Sequence, residues 1–441
     1  MVNEARHIQN RNLRTDLLVL GISALALRLL YLFLALDGIG LESLSHFAPD
    51  TWCYREVAEC WLSGRWQTSI MLLKVGPGYG LMLAVIKLLL GPNPIFLIAL
   101  NIILGSLAPL VVYLIAHSLF HRRSVSLMAG AISCVSLTSV ALSSQILTDQ
   151  PFYTFFASSL LTFIWGIQTA RWRWFIIAGL LAGWSAWIRS TGVPCIFLFA
   201  IVPFLMPKPS SFRTRWHLIG SAGVTVGIML VFILSWSWRN WKAHDLFTFG
   251  TNGVMSMRSY LMPLAVCSHT PDCELRQLGQ TWSIEDGDDT EPPAIAYARA
   301  EKRVLSVFRE HPRWVVTTYF KVIHDNIRNM NTYLWEQIPV LKPFTLFVYQ
   351  AMALWLAYLI MGAAVIGFVL MLLRKYFFAA VLLGLAFAYF TAITGFSFFQ
   401  GSRLHFPAEM AWSILVAFAS DELYRFARRL IRRQSMAPTV P

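Results

Sequence analysis

The chain has 441 residues; 56% are hydrophobic, only 13% are charged, and the formal net charge is +13. A soluble domain carries roughly 25% charged residues, so a water-soluble globular protein is excluded. The basic residues fall in short clusters between apolar runs, as membrane orientation signals do, so the positive charge does not argue for nucleic acid as a partner.

In chain order, apolar runs fit to cross a hydrocarbon core occupy 17–36, 95–119, 124–142, 150–168, 174–188, 192–206, 217–236, 345–373, 377–396 and 404–420. The expected fold class is an all-α, multi-pass integral membrane protein of about ten transmembrane helices. The first run is too long and too poorly terminated for a cleaved signal peptide, and further runs follow it. Basic clusters stand at Arg6/Arg11/Arg14, Arg122/Arg123, Arg171/Arg173, Lys208/Arg213/Arg215, Arg374/Lys375 and Arg425/Arg428/Arg429/Arg432/Arg433. With ten crossings and the N-terminus inside, every cluster falls on the cytoplasmic side. The stretch 77–91 would break that pattern if it crossed. It is short, contains Lys87 and precedes Gly91-Pro92-Asn93-Pro94, so it reads as a helix in the outer interface.

The domain organisation that follows is a transmembrane module 1–236 including a first outer loop 37–94, an extracytoplasmic segment 237–343, C-terminal transmembrane helices over 344–421 and a basic cytoplasmic tail 422–441. The segment 237–343 is long enough for a small domain. Pro292-Pro293 precedes a helical stretch 294–310, His311-Pro312 breaks it, and a second stretch runs over 313–330. Cys267 and Cys273 are placed to form a disulfide if this side is oxidising. Cys53 and Cys60, two turns apart on one helix, are too far apart to bridge. Arg28, inside the first run, reads as a snorkelling residue. The run Glu285-Asp286-Gly287-Asp288-Asp289-Thr290-Glu291 lacks EF-hand spacing and reads as a solvated acidic loop. No metal or cofactor motif occurs, so none is expected.

The chemistry concentrates at the outer rim. Asp50 opens the pattern D-x-x-x-Y-x-x-x-A-x-x-x-x-x-G, completed by Tyr54, Ala58 and Gly64. Its residue type and position fit a helix N-cap and a general base equally well. Asp149, in Thr148-Asp149-Gln150-Pro151, carries the same two readings and emerges on the same face. Lys74 precedes a Gly-Pro-Gly turn that would aim it at one bound phosphate; a snorkelling lysine is the plainer reading. Arg403 and Glu409 flank Pro407 at the outer end of the last run, and an ion pair between them is expected, because an acid within a span is costly and seldom idle. Arg189 lies in another outer turn.

The order of these motifs resembles a family. An acid in the first outer loop is followed by KVGPGYG over 74–80, LFHRR over 119–123, QILTDQPF over 145–152, AGLLAGWSAWIRSTG over 178–192 and SWSWRN over 235–240. Later echoes are REHPRWVVTTYFKV over 309–322 and SRLHFPAE over 402–409. The chain resembles the GT-C superfamily of membrane glycosyltransferases, in the group of protein O-mannosyltransferases and lipid A aminoarabinose transferases. The resemblance implies Asp50 as the base acting on the acceptor, Asp149 as an assisting acid, and Lys74, five residues before Tyr79, as a ligand of the donor phosphate. Apart from the resemblance, Arg403 and Arg189 are further candidate phosphate ligands, because a leaving phosphate needs its charge stabilised, and Tyr54, Tyr79 and Glu56 are substrate-binding candidates. Two departures stand out. Thr51 occupies the place of a second acid common after the first, and Leu73 stands where the aminoarabinose transferases have an acid.

The function this implies is inverting transfer of a sugar from a polyprenyl-phosphate donor to a hydroxyl or phosphate of a glycan, lipid or protein acceptor, outside the plasma (inner) membrane. Nucleotide sugars are absent there, so the donor is carried by a lipid. Transfer of a whole lipid-linked oligosaccharide is the nearest alternative. A glycolipid transporter or flippase is the non-enzymatic one; it predicts internal repeats, of which none is seen, and midplane charges, whereas most candidate residues lie at the outer rim.

Overall fold

The computed structural model of the chain describes residues 2–205, 212–288, 290–329 and 333–435, and every regular element among them is helical. Lys208 of the basic clusters, Asp289 of the acidic run and the tail beyond Ser435 lie outside the described residues. Helix α1 (Val2–His46) leads into the short helices α2 (Thr51–Leu62), α3 (Met71–Val75) and α4 (Gly78–Leu90). A bundle follows, made of α5 (Pro94–Phe120), α6 (Arg123–Cys134), α7 (Leu137–Ser143), α8 (Asp149–Thr169), α9 (Trp172–Ile188), α10 (Ile196–Leu205) and α11 (Phe212–His244). The next segment holds α12 (Asn252–Ser256), α13 (Met262–Cys267), α14 (Leu275–Asp286), α15 (Pro293–Glu310), α16 (Pro312–Arg328) and α17 (Tyr333–Glu336). The chain closes with α18 (Lys342–Ala351), α19 (Ala357–Leu373), α20 (Phe377–Ile393), α21 (Ser402–His405) and α22 (Glu409–Ser435).

By length and composition, four helical stretches can cross a membrane: Asn12–His46, Pro94–Phe120, Leu218–His244 and Phe377–Phe396. The pair α6 and α7 passes the same test only when the two helices are taken together, across a 52° bend. The protein is therefore a helical membrane protein. The remaining predicted runs are also helical but shorter or less apolar, and the count of ten stays an inference from charge placement. Three boundaries differ from expectation. The first helix continues past 36 to His46, breaking its regularity only at Gly40. The helix expected over 217–236 runs on to His244. The basic tail is helical as far as Ser435.

The charged groups Arg28, Arg122, Arg123 and Arg374 are satisfied within the bundle. Arg28 does not snorkel: it is fully buried and donates to Ser139 Oγ (2.7 Å), Ser143 Oγ (3.2 Å) and the carbonyl of Ala24 (3.1 Å). A cation in a low-dielectric interior needs such partners. At the end of the bundle that holds the α5–α6 turn, Arg122 pairs with Asp421 and Glu422, Arg374 with Glu422, and Arg123 with Asp16. These members of the basic clusters clamp helix ends together besides any role in orientation.

The segment after α11 has its own small core of Leu261, Met262, Ala265, Val304, Val307, Val315 and Val322. The predicted helical stretches appear as α15 and α16, separated at His311. Cys267 and Cys273 are disulfide-bonded. The acidic run is not a solvated loop. Asp286 is buried against Arg303 and Arg258, Asp288 accepts from Arg258 and Ser283, and Glu291 accepts from Arg299. The reason is that Arg258 and Asp286 are buried together, where neither charge is stable unpaired. Among the described residues no three His, Cys, Asp or Glu side chains gather as a metal site.

Candidate active site

Three backbone devices bring the predicted residues together. The first is KVGPGYG. Gly76 adopts φ +77°, and a Cβ on Gly78 would lie 2.8 Å from the main chain of Trp187 and Ile188. Only glycine lets the start of α4 rest on the end of α9, and this contact sets Lys74 beside Arg189. The main-chain N–H of Thr251 donates to the carbonyl of Leu73 (3.1 Å), which docks α12 on the same turn. The second device is Asn101, buried in α5. Its amide donates to the carbonyls of Gln145 (2.6 Å) and Leu147 (3.1 Å), fixing the turn that delivers Asp149. The third is Asn326 of α16. It donates to the carbonyls of Thr394 and Phe398 and accepts from the main-chain N–H of Gln400 (3.0 Å), so the segment after α11 shapes the turn that carries Arg403.

Arg403 lies at the centre of the charges. Its Nη2 donates to Asp50 Oδ2 (2.6 Å) and its Nε to Asp149 Oδ2 (3.2 Å), while Arg189 donates to Asp149 Oδ1. Asp149 is fully buried and Asp50 is 45% exposed. Neither acid caps its helix: Asp50 makes no side-chain capping bond, and Asp149 sits inside the first turn of α8 behind Thr148. The expected Arg403–Glu409 pair does not form. Glu409 is buried and accepts instead from Ser136 Oγ (2.6 Å), because Pro407 and the turn before α22 separate the two side chains. Burial alone would make the Arg403 guanidinium easier to deprotonate; the carboxylates of Asp149 and Asp50 outweigh it and hold the charge firmly.

A cavity of about 160 Å³ opens over these groups, lined by Asp50, Cys53, Tyr54, Lys74, Arg189 and Arg403 together with Asn252, Ser256, Tyr260 and Gln400. Tyr54 also bonds Thr148 Oγ1 (3.2 Å), and its phenol is pushed up to about 12, first by burial and then by Asp50. Counting Asp149 behind the wall, three cations face two carboxylates, which leaves one positive charge in excess. That is the electrostatic setting for a monoanion such as a phosphate diester. Two larger spaces adjoin. An apolar groove of about 440 Å³, lined by Phe249, Phe390, Ile393, Phe396 and Pro407, shares Arg189, Ser190, Asn252, Ser256 and Leu404 with the polar cavity. A chamber of about 470 Å³ with a mixed wall, polar at Thr251, Ser259, Ser283, Asp288 and Glu291 and apolar at Ile70, Leu73, Met255, Pro293 and Ala296, shares Lys74, Asn252, Ser256 and Tyr260.

Two of the expected substrate-binding residues are elsewhere. Tyr79 is buried and donates to Asn101 Oδ1 (3.3 Å), with its ring edge-on to Tyr54 at 5.3 Å; it positions the wall rather than lining it. Glu56 lies on the exposed face of α2 and is not part of the cavity wall. Asn252, Ser256, Tyr260 and Gln400 were not singled out in the sequence. Each is an ordinary polar residue in a polar segment, so nothing local marks it. Asn101 did carry a signal, as a lone amide within a strongly apolar run.

Residues 74–238 match the family model for dolichyl-phosphate-mannose-protein mannosyltransferase. The match covers 165 of the 441 residues and so describes that segment of the chain. The match begins at Lys74 itself and takes in Asp149 and Arg189, so most of the cationic site lies within the glycosyltransferase-like segment. Among solved structures, the archaeal oligosaccharyltransferase AglB of Archaeoglobus fulgidus, in complex with an inhibitory peptide and a dolichol-phosphate, is similar at 13% identity and a TM-score of 0.46. That likeness covers 95% of this chain and 52% of that one. ArnT of Cupriavidus metallidurans bound to undecaprenyl phosphate is similar at 14% identity and a TM-score of 0.39, covering 95% of this chain and 81% of that one. The chain thus spans about half the length of the oligosaccharyltransferase. No curated protein matches the chain.

Proposed function

We propose that the protein transfers a sugar from a polyprenyl-phosphate donor to an acceptor hydroxyl, with inversion, on the outer side of the plasma (inner) membrane. The observation that carries this reading is the single cavity where Asp50, Lys74, Arg189 and Arg403 converge between an apolar groove and a chamber whose wall carries Ser259, Ser283, Asp288 and Glu291. The groove suits the isoprenoid chain of the donor, and the polar side of the chamber's mixed wall, at Ser259, Ser283, Asp288 and Glu291, suits the hydroxyls of an acceptor. Lys74 and Arg189 hold the donor phosphate where the two spaces meet. Arg403 holds one oxygen of Asp50, so that Oδ1 is left for the acceptor hydroxyl.

In the reaction the acceptor oxygen attacks the anomeric carbon, and its proton passes to Asp50. The bond from that carbon to the phosphate oxygen breaks, and the lipid phosphate leaves with the electron pair and one added negative charge. The excess positive charge at Lys74 and Arg189 stabilises that developing charge. Asp149 takes no proton in this scheme; it holds Arg189 and Arg403 in place. The acceptor is a glycan, a lipid or a protein hydroxyl. The transfer of one sugar, rather than a whole oligosaccharide, is favoured by the small polar cavity.

The test is turnover of a synthetic short-chain polyprenyl-phosphate sugar by purified protein in lipid nanodiscs, wild type against Asp50→Asn. Normal turnover in the variant would remove Asp50 from the chemistry. The orientation is tested separately by cysteine labelling of intact cells at Ser63, Thr290 and His121, which are all exposed. Ser63→Cys and Thr290→Cys should label from outside and His121→Cys should not.

A further inference from the structure

A second cavity, of about 570 Å³, lies away from the site just described. It is formed by the end of α2, the turn over 65–68, the end of α9 and the last turns of α11. Its wall is unusually aromatic: Trp61, Trp66, Trp187, Trp236 and Trp238 line it, with Arg239 and Lys242 beside them. Trp61 and Trp66 are stacked at 5.2 Å, and Trp187 packs on Trp236 at 5.7 Å. Tryptophan at headgroup depth is common in membrane proteins, so the rings alone identify no ligand. The polar atoms around them do.

Arg239 is 91% buried, and its partners are all neutral. Nε donates to the carbonyl of Trp66 (3.1 Å), Nη2 to the carbonyls of Trp66 (2.5 Å) and Ser69 (3.0 Å), and Nη1 to the amide oxygen of Asn240 (2.8 Å). A guanidinium has five N–H donors, so one donor on Nη1 remains. Among the described residues, no carboxylate pairs with Arg239 or with Lys242. Buried charges are normally paired, and here the cation borders an open cavity instead. The indole N–H groups of Trp61 and Trp236 are likewise buried without an acceptor, and Trp236 is 97% buried. Three buried donor groups thus surround one cavity that supplies no anion of its own.

The surface below indicates where the anion comes from. Val231, Leu234, Trp238 and Trp241 are exposed on one stripe of α11, at the three- and four-residue spacing of a helix face, and the stripe ends at Lys242. An apolar stripe leading to a cationic, donor-rich pocket matches one molecule: acyl chains along the helix and a phosphate at its end. We infer that this cavity binds the phosphate headgroup of an anionic membrane lipid, seated on the tryptophan rings and held by Arg239 and Lys242, at a site separate from the donor phosphate at Lys74.

The experiment uses the full chain in a neutral detergent, titrated in separate arms with dioctanoyl phosphatidylglycerol, dioctanoyl phosphatidylcholine and inorganic phosphate. Retained adducts are read by native mass spectrometry and the unfolding midpoint by thermal denaturation. Phosphatidylglycerol should give one tightly retained adduct and raise the midpoint; the other two ligands should not. Lys242 and Trp238 are exposed, so their variants should fold. Lys242→Gln should weaken the adduct about fivefold, the worth of one basic residue at a lipid phosphate. Lys242→Gln with Trp238→Ala should remove it, while turnover of the sugar donor persists. Equal binding of phosphatidylcholine, equal binding of free phosphate, or an adduct unchanged in the double variant would each overturn the assignment.

Discussion

The first loop and the start of α8 each offer one carboxylate to Arg403, and the two acids are in opposite states. Asp149 is fully buried and paired on both oxygens, with Arg189 and Arg403. Asp50 is 45% exposed, is paired through Oδ2 alone, and faces the cavity. A buried carboxylate held by two guanidinium groups is a fixed counter-charge whose loss leaves Arg189 without its carboxylate and Arg403 with Asp50 alone. A half-exposed carboxylate with one oxygen free can exchange a proton with a ligand. The same residue type on the same arginine thus serves scaffold at one position and, on our reading, chemistry at the other.

The sharpest way to break this contrast is Asp149→Asn. It should cost about 3–5 kcal/mol of stability, the usual penalty for removing one partner of a buried pair, and should abolish turnover as well. The check is the thermal unfolding midpoint in detergent alongside the transfer assay; an unshifted midpoint would deny Asp149 its scaffold role. Asp50→Asn should do the reverse. Turnover should fall by about 10²–10⁴-fold, while stability falls by less than in Asp149→Asn, because Asp50 is half-exposed and Asp149 still pairs the buried Arg403. If the two variants lose stability equally, the contrast between the acids fails.

Lys74→Ala sharpens the assignment of the phosphate. Loss of one charge-assisted contact is worth roughly 1.5–3 kcal/mol, so binding of polyprenyl phosphate in nanodiscs should weaken about tenfold to a hundredfold. Lys74→Arg should restore part of the affinity. Unchanged affinity in Lys74→Ala would move the phosphate to Arg189.

The smallest expected effect is at Cys53, which borders Asp50 in the cavity. Its thiol is pushed up to about 11, first by burial, then by the charges of Asp50 and Glu56. A raised thiol pKa lowers the thiolate fraction at neutral pH and slows alkylation. Asp50→Asn removes one of the raising charges, so iodoacetamide should react faster with Cys53, by less than about tenfold, corresponding to under one pKa unit. No acceleration would place the Asp50 charge away from the cavity.

Much of this protein was legible in the sequence because membrane insertion is governed by short-range, additive properties. Apolar length determines which stretches become long helices, and glycine and proline mark their breaks; Gly64, Gly76 and the His311-Pro312 break all fall where the residues indicate. The family resemblance also rested on local motifs, and the family match begins at one of them, KVGPGYG. Charge pairing was not legible, since it depends on which helix ends meet. Arg403 was expected to bond its near neighbour Glu409 and instead meets acids from α8 and the first loop, hundreds of residues earlier. Arg28 was expected at the surface and is enclosed by serines of α7, and the acidic run was expected in water and is bound to arginines of the helices around it. In each case the sequence determined that a charge was present, and only the tertiary structure decided its partner, because a buried charge takes whatever opposite or polar group the packing brings within hydrogen-bond distance.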